Sequence, residues 1–269
     1  ELTQTMLYYP NAQARYYLHR FCYNAKVNYW MRAQFPKHVA LFVEDFKEQQ
    51  QKLIASYHGI HDDKEFNRDR RRFDDLYQRV ALPIEKGGMA LNNVVFVSLT
   101  AFACSIAASM KELAKVFPDW IKIGSDGKLV NVVCHKSPDV TDQIVDFANE
   151  YRLLAPQGPF KEGDDLLDVM KSIESIDARR GATTAQGVLY SHLIEAETNR
   201  LLDMVKRKAN ETRDHTSYAK VKWRNWFSLM NSDSGAWLTA GLSSKLFVMS
   251  NDEFISAVCR RNTVQDPRV

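Results

Sequence analysis

Glycine and proline are scarce in this chain, 11 and 8 among 269 residues, so β-turn punctuation is thin while helix-forming residues are plentiful. The four cysteines, Cys22, Cys104, Cys134 and Cys259, lie far apart. None has the paired spacing of a zinc knuckle or a redox dithiol, and a reduced, intracellular protein is expected. No apolar run is read as reaching the length of a membrane span, and no membrane contact is expected. The longest, "VVFVSLTAFACSIAASM" from Val94 to Met110, carries Ser and Thr throughout and reads as a buried helix. The opening "ELTQTMLYYP" has neither an initiator Met nor a signal pattern, which suggests an excised or incomplete segment. Charge of one sign is also modest. A net +3 permits contact with phosphates without demanding it, so any basic footprint must be local.

What is present is helical periodicity. Asn11 reads as the cap of a helix reaching Arg32, with Ala14, Leu18, Phe21, Cys22, Ala25 and Tyr29 as its apolar face. A second helix, from Lys37 to about Tyr57, presents Leu41, Val43, Phe46, Leu53 and Ile54. A third, strongly charged, keeps Phe66, Phe73, Leu76, Tyr77 and Val80 for the core and stops at Pro83. The glycine turn "IEKGGMALNN" ends in an Asn cap and launches an apolar, small-residue helix to about Val116. Alternation around Ser125-Asp126-Gly127 predicts a short hairpin at about 120–133. Ser137-Pro138 then starts a helix carrying Val140, Ile144, Phe147, Ala148 and Tyr151.

Beyond the linker signal "APQGPFKEGDD" come helices near Asp164–Ile176, Thr184–Asn210 and Tyr218–Met230, and a last one capped by Ser250 or Asn251. Its buried face is Phe254, Ile255 and Val258, with Arg260 and Arg261 left outside. The expectation is a mainly α multi-helix bundle with one short β-hairpin. A soft boundary divides it into 1–155 and 156–269, or the whole forms one continuous domain.

No self-sufficient active site emerges. The acidic doublets Asp74-Asp75 and Asp164-Asp165 read as helix surface and helix cap, not as a metal-binding polymerase pair, which needs a turn between apolar strands. "GSDGK" at Gly124–Lys128 is too short for a phosphate-binding loop. His192 and Glu195, with Glu197 nearby, share a helix face without a second ligand cluster. No catalytic residue, metal site or cofactor is therefore expected in this segment. Basic groups are more informative, because cations on a rigid helix neutralise phosphates and exposed aromatics stack on bases. The candidates are Arg15, Arg20, Lys26 and Arg32; Arg68, Arg70, Arg71, Arg72 and Arg79; and Lys220, Lys222 and Arg224, interleaved with Trp223 and Trp226. Lys206, Arg207 and Lys208 suit a helix C-terminus.

Three stretches in order, "NAQARYYLHRFCYNAKVNYWMRAQFP", "ALPIEKGGMAL" and "SGAWLTA" followed by "SNDEFISAVCRR", resemble the region after the polymerase palm in reverse-transcriptase-like proteins of the non-LTR retrotransposon type. The resemblance spans about 11–261 and rests on structural motifs. His19-Arg20-Phe21-Cys22 stands where that family has a Leu-Arg pair before its Cys, and the family's Cys/His-rich tail and palm aspartates are missing. It implies a thumb and downstream segment, non-catalytic by itself, that grips an RNA/DNA duplex or hybrid by its backbone as part of an RNA-directed DNA polymerase. The alternative is a helical protein-protein interaction module, a retroelement fragment retained by its host, that binds a protein partner or self-associates through exposed aromatics.

Overall fold

A computed structural model describes residues 2–34, 36–61, 63–68, 70–132, 138–180, 184–211, 218–230, 236–239 and 249–262. The architecture is mainly α with one two-stranded antiparallel hairpin. In chain order the helices are α1 (Leu2–Leu7), α2 (Ala12–Leu18), α3 (Asn24–Ala33), α4 (Pro36–Tyr57), α5 (Asp63–Arg68), α6 (Arg70–Val80) and α7 (Val94–Val116). After the strands β1 (Ile121–Ile123) and β2 (Leu129–Val132) come α8 (Pro138–Leu154), α9 (Leu166–Arg180), α10 (Ala185–Asn210), α11 (Tyr218–Leu229), α12 (Ala236–Thr239) and α13 (Asn251–Arg261). Two compact units form. One comprises Glu1–Lys26, Glu44–Val94 and Glu197–Val269, and the other Val27–Val43 and Val95–Ala196.

In the first unit Asn11 caps α2, its side chain accepting the Ala14 N–H at 2.7 Å. A π turn, His19–Tyr23, then joins α2 to α3. The buried positions Tyr16, His19, Tyr23 and Asn24 are not the face expected from sequence. Leu18, Phe21, Cys22, Ala25 and Tyr29 are exposed instead. Polar contacts hold this alternative face: a tyrosine, histidine or asparagine can be buried where its hydrogen-bonding groups find partners, although the Asn24 Nδ2 amide has none among the described residues. Here the Tyr77 hydroxyl donates to Gln50 Oε1 at 2.7 Å, Gln50 Nε2 donates to Asn24 Oδ1 at 2.8 Å, and Tyr77 accepts the Val94 N–H at 2.9 Å. Steps of four residues overshoot a 3.6-residue turn by about 40° each, and the wider π turn takes up that drift. On α4, Leu41 of the expected apolar face is 85% exposed, whereas Val43, Phe46, Leu53 and Ile54 are buried.

The predicted charged helix is observed as α5 and α6, with Phe66, Phe73, Leu76, Tyr77 and Val80 all buried. The turn after it is held tightly. A Cβ on Gly88 would sit 2.0 Å from the Leu82 carbonyl oxygen. Asn93, expected as a cap, sends its amide to Gln78 at 2.9 Å.

α13 closes the unit. Ser250 and Glu253 form a reciprocal capping box, and Phe254 packs against the rings of Tyr16, Tyr57 and Trp237. Asn251 ties two helix starts together, accepting the Ala12 N–H at 2.8 Å and donating to the Pro10 carbonyl at 2.7 Å.

In the second unit Tyr151 of α8 is buried with Phe147 and Phe160, and its hydroxyl donates to the Leu189 carbonyl at 3.1 Å. Val140 is half-buried, while Ile144, Phe147, Ala148 and Tyr151 are buried as expected; Ser137 lies outside the described residues. The stretch read as a linker is a packed turn whose Phe160 ring meets both Phe147 and Tyr151. The hairpin pairs Ile121 with Val132 and Lys122 with Asn131, and Gly127 occupies the left-handed region at φ 74° in its turn. Asp165 caps α9 by accepting the Asp168 N–H at 2.9 Å.

α7, longer than the apolar run read from sequence, is long and apolar enough by length and composition to cross a membrane. That differs from the sequence expectation. Of its most apolar window, 56% is buried inside the protein, the pattern of a core helix.

Candidate nucleic-acid interface

The basic residues singled out from sequence have different fates. Arg15 is buried and donates to the Leu7 carbonyl at 2.9 Å, and desolvation pulls its guanidinium below the ordinary value. Arg79 is also buried. It donates to the Arg261 and Asn262 carbonyls at 2.9 and 3.0 Å, closing the C-terminal end of α13, and lies 4.7 Å from the centre of the Trp226 ring. Both side chains are committed to backbone oxygens, so neither is placed to meet a phosphate. Arg261, expected outside, is likewise buried. Its Nε donates to Gly88 O at 2.8 Å and its Nη2 to Ile84 O. A guanidinium keeps its charge in a protein interior, and carbonyls at a helix end and a tight turn suit it.

Arg20 is half-buried, its guanidinium 4.9 Å from the Phe21 ring centre and its Nη1 directed to the Tyr16 hydroxyl at 3.4 Å. Lys26, Arg32 and Arg68 are exposed. Arg32 holds the Gln186 side-chain oxygen with Nε and Nη2, at 2.8 and 2.6 Å, and Gln186 donates onward to Asn28 at 2.8 Å. The side chains of Arg70, Arg71 and Arg72 lie outside those described. Lys206, Arg207 and Lys208 are exposed at the C-terminal end of α10, where cations complement the helix dipole.

The third group, on α11, forms a coherent surface. Trp226 is the helix's anchor: it is buried, and its indole N–H donates to the Lys86 carbonyl at 2.9 Å. It is not an exposed stacking ring. With Trp226 inward, helical spacing turns Val221, Arg224, Asn225, Phe227 and Ser228 outward, and all five are exposed. Phe227 is 67% exposed, and its ring lies 6.1 Å from that of the half-buried Trp223. Lys220, Trp223, Arg224 and Phe227 stand at the i, i+3, i+4 and i+7 positions of one stripe. Cation and aromatic therefore alternate along one side of the helix.

Beside this stripe, α11 and α13 border a cleft of about 450 Å³. α11 contributes Asn225, Ser228 and Leu229, and α13 contributes Ala257, Arg260 and Arg261; Trp237 of α12 supplies an aromatic wall. None of these described lining residues is acidic. Arg260 is exposed, so its guanidinium is accessible at the cleft edge. Sequence reading did not group these residues. One signal was present: no acidic residue stands between Asp214 and Asp233, just as none stands between Glu1 and Glu44.

The other expected positions stay structural. Asp74 accepts a hydrogen bond from Gln51 at 2.7 Å, and the Asp75 side chain lies outside those described. Asp164 accepts the Lys161 N–H at 2.8 Å. Glu197 receives two hydrogen bonds from Arg200, at 2.6 and 2.7 Å. Among the described residues, no group of three His, Cys, Asp or Glu side chains is arranged to hold a metal ion. No known protein family, curated protein or solved structure matches this chain.

Proposed function

We propose that this chain is a non-catalytic helical segment of a retroelement-type reverse transcriptase that supports template-primer binding through the nucleic-acid backbone. The observation that carries the reading is the α11 stripe, where Lys220 and Arg224 alternate with Trp223 and the exposed Phe227 on a helix that also bears Lys222 and has no acidic residue. Cations held on a rigid, anchored helix release counterions from phosphates without reading sequence, and an aromatic beside them tolerates any base. The resemblance of the three motif stretches to the reverse-transcriptase-like region points the same way. Lys26, Arg32 and Arg68 are secondary candidates because, like Arg224, they are exposed.

The test is fluorescence anisotropy with a labelled RNA–DNA hybrid over a salt series. Binding is expected to weaken linearly on a log-log scale. A variant with Lys220, Lys222 and Arg224 changed to glutamine should bind more weakly at every sequence, with the slope reduced by about 1 for each phosphate no longer neutralised. No affinity for hybrid or duplex at low salt sinks the proposal.

A second reading has its own observation. On α3 and α4 in the second unit, Tyr29 is 79% exposed beside Trp30, whose ring stacks edge-on with that of Phe42 at 4.5 Å, and Leu41 protrudes nearby in sequence. Exposed aromatics of this kind serve protein partners. Concentration-dependent self-association in sedimentation experiments, abolished by Leu41→Asp and accompanied by no oligonucleotide binding, favours that interaction module.

A further inference from the structure

The cleft between α11 and α13 has chemistry that a duplex backbone does not use. We infer that it takes one unpaired nucleotide of a strand, the base lying against Trp237 and the phosphate meeting Arg260. This rests on the nucleic-acid reading and names the form of ligand that the cleft would select.

Three features converge there. Size comes first, since about 450 Å³ falls within the range of small-molecule sites and exceeds what one base and its phosphate require. Trp237 is half-buried, fixed on one side by edge-on packing against Phe254 at 5.7 Å, while it also lines the cleft. A ring immobilised in this way offers a stacking surface at little entropic cost, and every base has a π-face to place on it. Third, the polar groups are of the right kind and are separated. Asn225 offers an amide able to donate and accept at a base edge, the Ser228 hydroxyl is bonded to the Asn225 carbonyl at 2.7 Å, and the Arg260 fork suits a phosphate. Arg261 is spent on the Gly88 and Ile84 carbonyls and serves as a cationic floor. A paired base could not enter, because its edges and faces are already engaged within the duplex. Selection for an unpaired nucleotide follows from that geometry.

The experiment compares a blunt RNA–DNA hybrid with the same hybrid bearing a four-nucleotide overhang, and with an overhang whose residues are abasic. The chain should prefer the normal overhang to the blunt end by about tenfold, near the low end for one stacked base. The abasic overhang should lose most of that preference, and Arg260→Gln or Trp237→Leu should bring the ratio towards one. Arg260 is exposed, so its variant tests the site even if the tryptophan variant folds poorly. Equal affinity for blunt and overhung hybrids overturns the inference while leaving the backbone-binding proposal standing. A preference that survives the abasic substitution also overturns it, because charge alone would then explain it. Binding of adenosine monophosphate without any overhang preference would assign the cleft to free nucleotide and overturn the strand assignment. Failure to bind any of the three hybrids sinks the backbone-binding proposal itself.

Discussion

His19 shows how individual residues decide what the first unit buries. It is fully enclosed, with Nδ1 3.1 Å from the Tyr57 hydroxyl and Nε2 facing the Gln50 amide at 3.5 Å. The Gln50 Nε2 can only donate, so His19 Nε2 accepts, and the proton sits on Nδ1 facing Tyr57, whose hydroxyl is directed to the Arg15 carbonyl at 3.3 Å. The ring is therefore neutral in the folded protein. Desolvation pushes its pKa down to about 3 from an ordinary 6.5. Because the folded value is depressed, the unfolded chain binds the proton first as pH falls. The stabilisation is thus complete above about pH 6.5 and is lost progressively towards pH 3. Between pH 6.5 and 5 this amounts to on the order of 2 kcal/mol. Urea unfolding of the native chain and of His19→Gln at several pH values should show the native curve falling more steeply over this window. Parallel curves would mean that His19 is not buried neutral.

At the scale of elements, glycine turns separate close approach from mere backbone conformation. Gly88 has no room for a side chain, because the Leu82 carbonyl oxygen lies where a Cβ would go. Gly127 has a positive φ of 74° but nothing within 4 Å of a Cβ. Gly127→Ala should therefore cost only the left-handed penalty of about 1–2 kcal/mol. Gly88→Ala should cost more, roughly 3 kcal/mol or above, since the turn that supplies carbonyls to Arg261 must move. Thermal or urea denaturation of the two variants, side by side, checks the order; equal losses would contradict the packing at Gly88. These elements also show what sequence reading can and cannot reach. The caps at Asn11, Asp165 and Ser250, the hairpin and the α6 core positions were legible because their signals are local and physical. The buried face of α2 was not, since apolarity pointed to Leu18 and Phe21 while the core took His19 and Asn24 through partners on α4, and Tyr16 through the Met89 carbonyl. For the candidate interface, the charges of α11 were readable, but the inward turn of Trp226 and the meeting of α11 with α13 depend on contacts far along the chain.

On the scale of the whole molecule, the first unit is completed only by its most distant segment. α13 supplies Phe254 to the Tyr16 and Tyr57 rings, Asn251 to the start of α2, and Arg261 to the turn after α6. The segments of the second unit, Val27–Val43 and Val95–Ala196, do not include α13. A chain stopped before Met249 therefore removes an aromatic side chain that is fully buried and two backbone tethers from one unit alone. Loss of a buried Phe by itself costs about 3–5 kcal/mol, a large share of a domain's usual 5–15 kcal/mol. Hydrogen exchange on the truncated chain should show amides of α2 and α6 losing protection by orders of magnitude, while α8, α9 and the hairpin keep theirs. Uniform loss across both sets would mean that the two units unfold as one, and unchanged protection of α2 would mean that the α13 contacts contribute little. Oligonucleotide binding should disappear along with α2 protection if the α11 surface needs its Trp226 anchor, because that anchor is shared with Arg79, whose guanidinium caps α13.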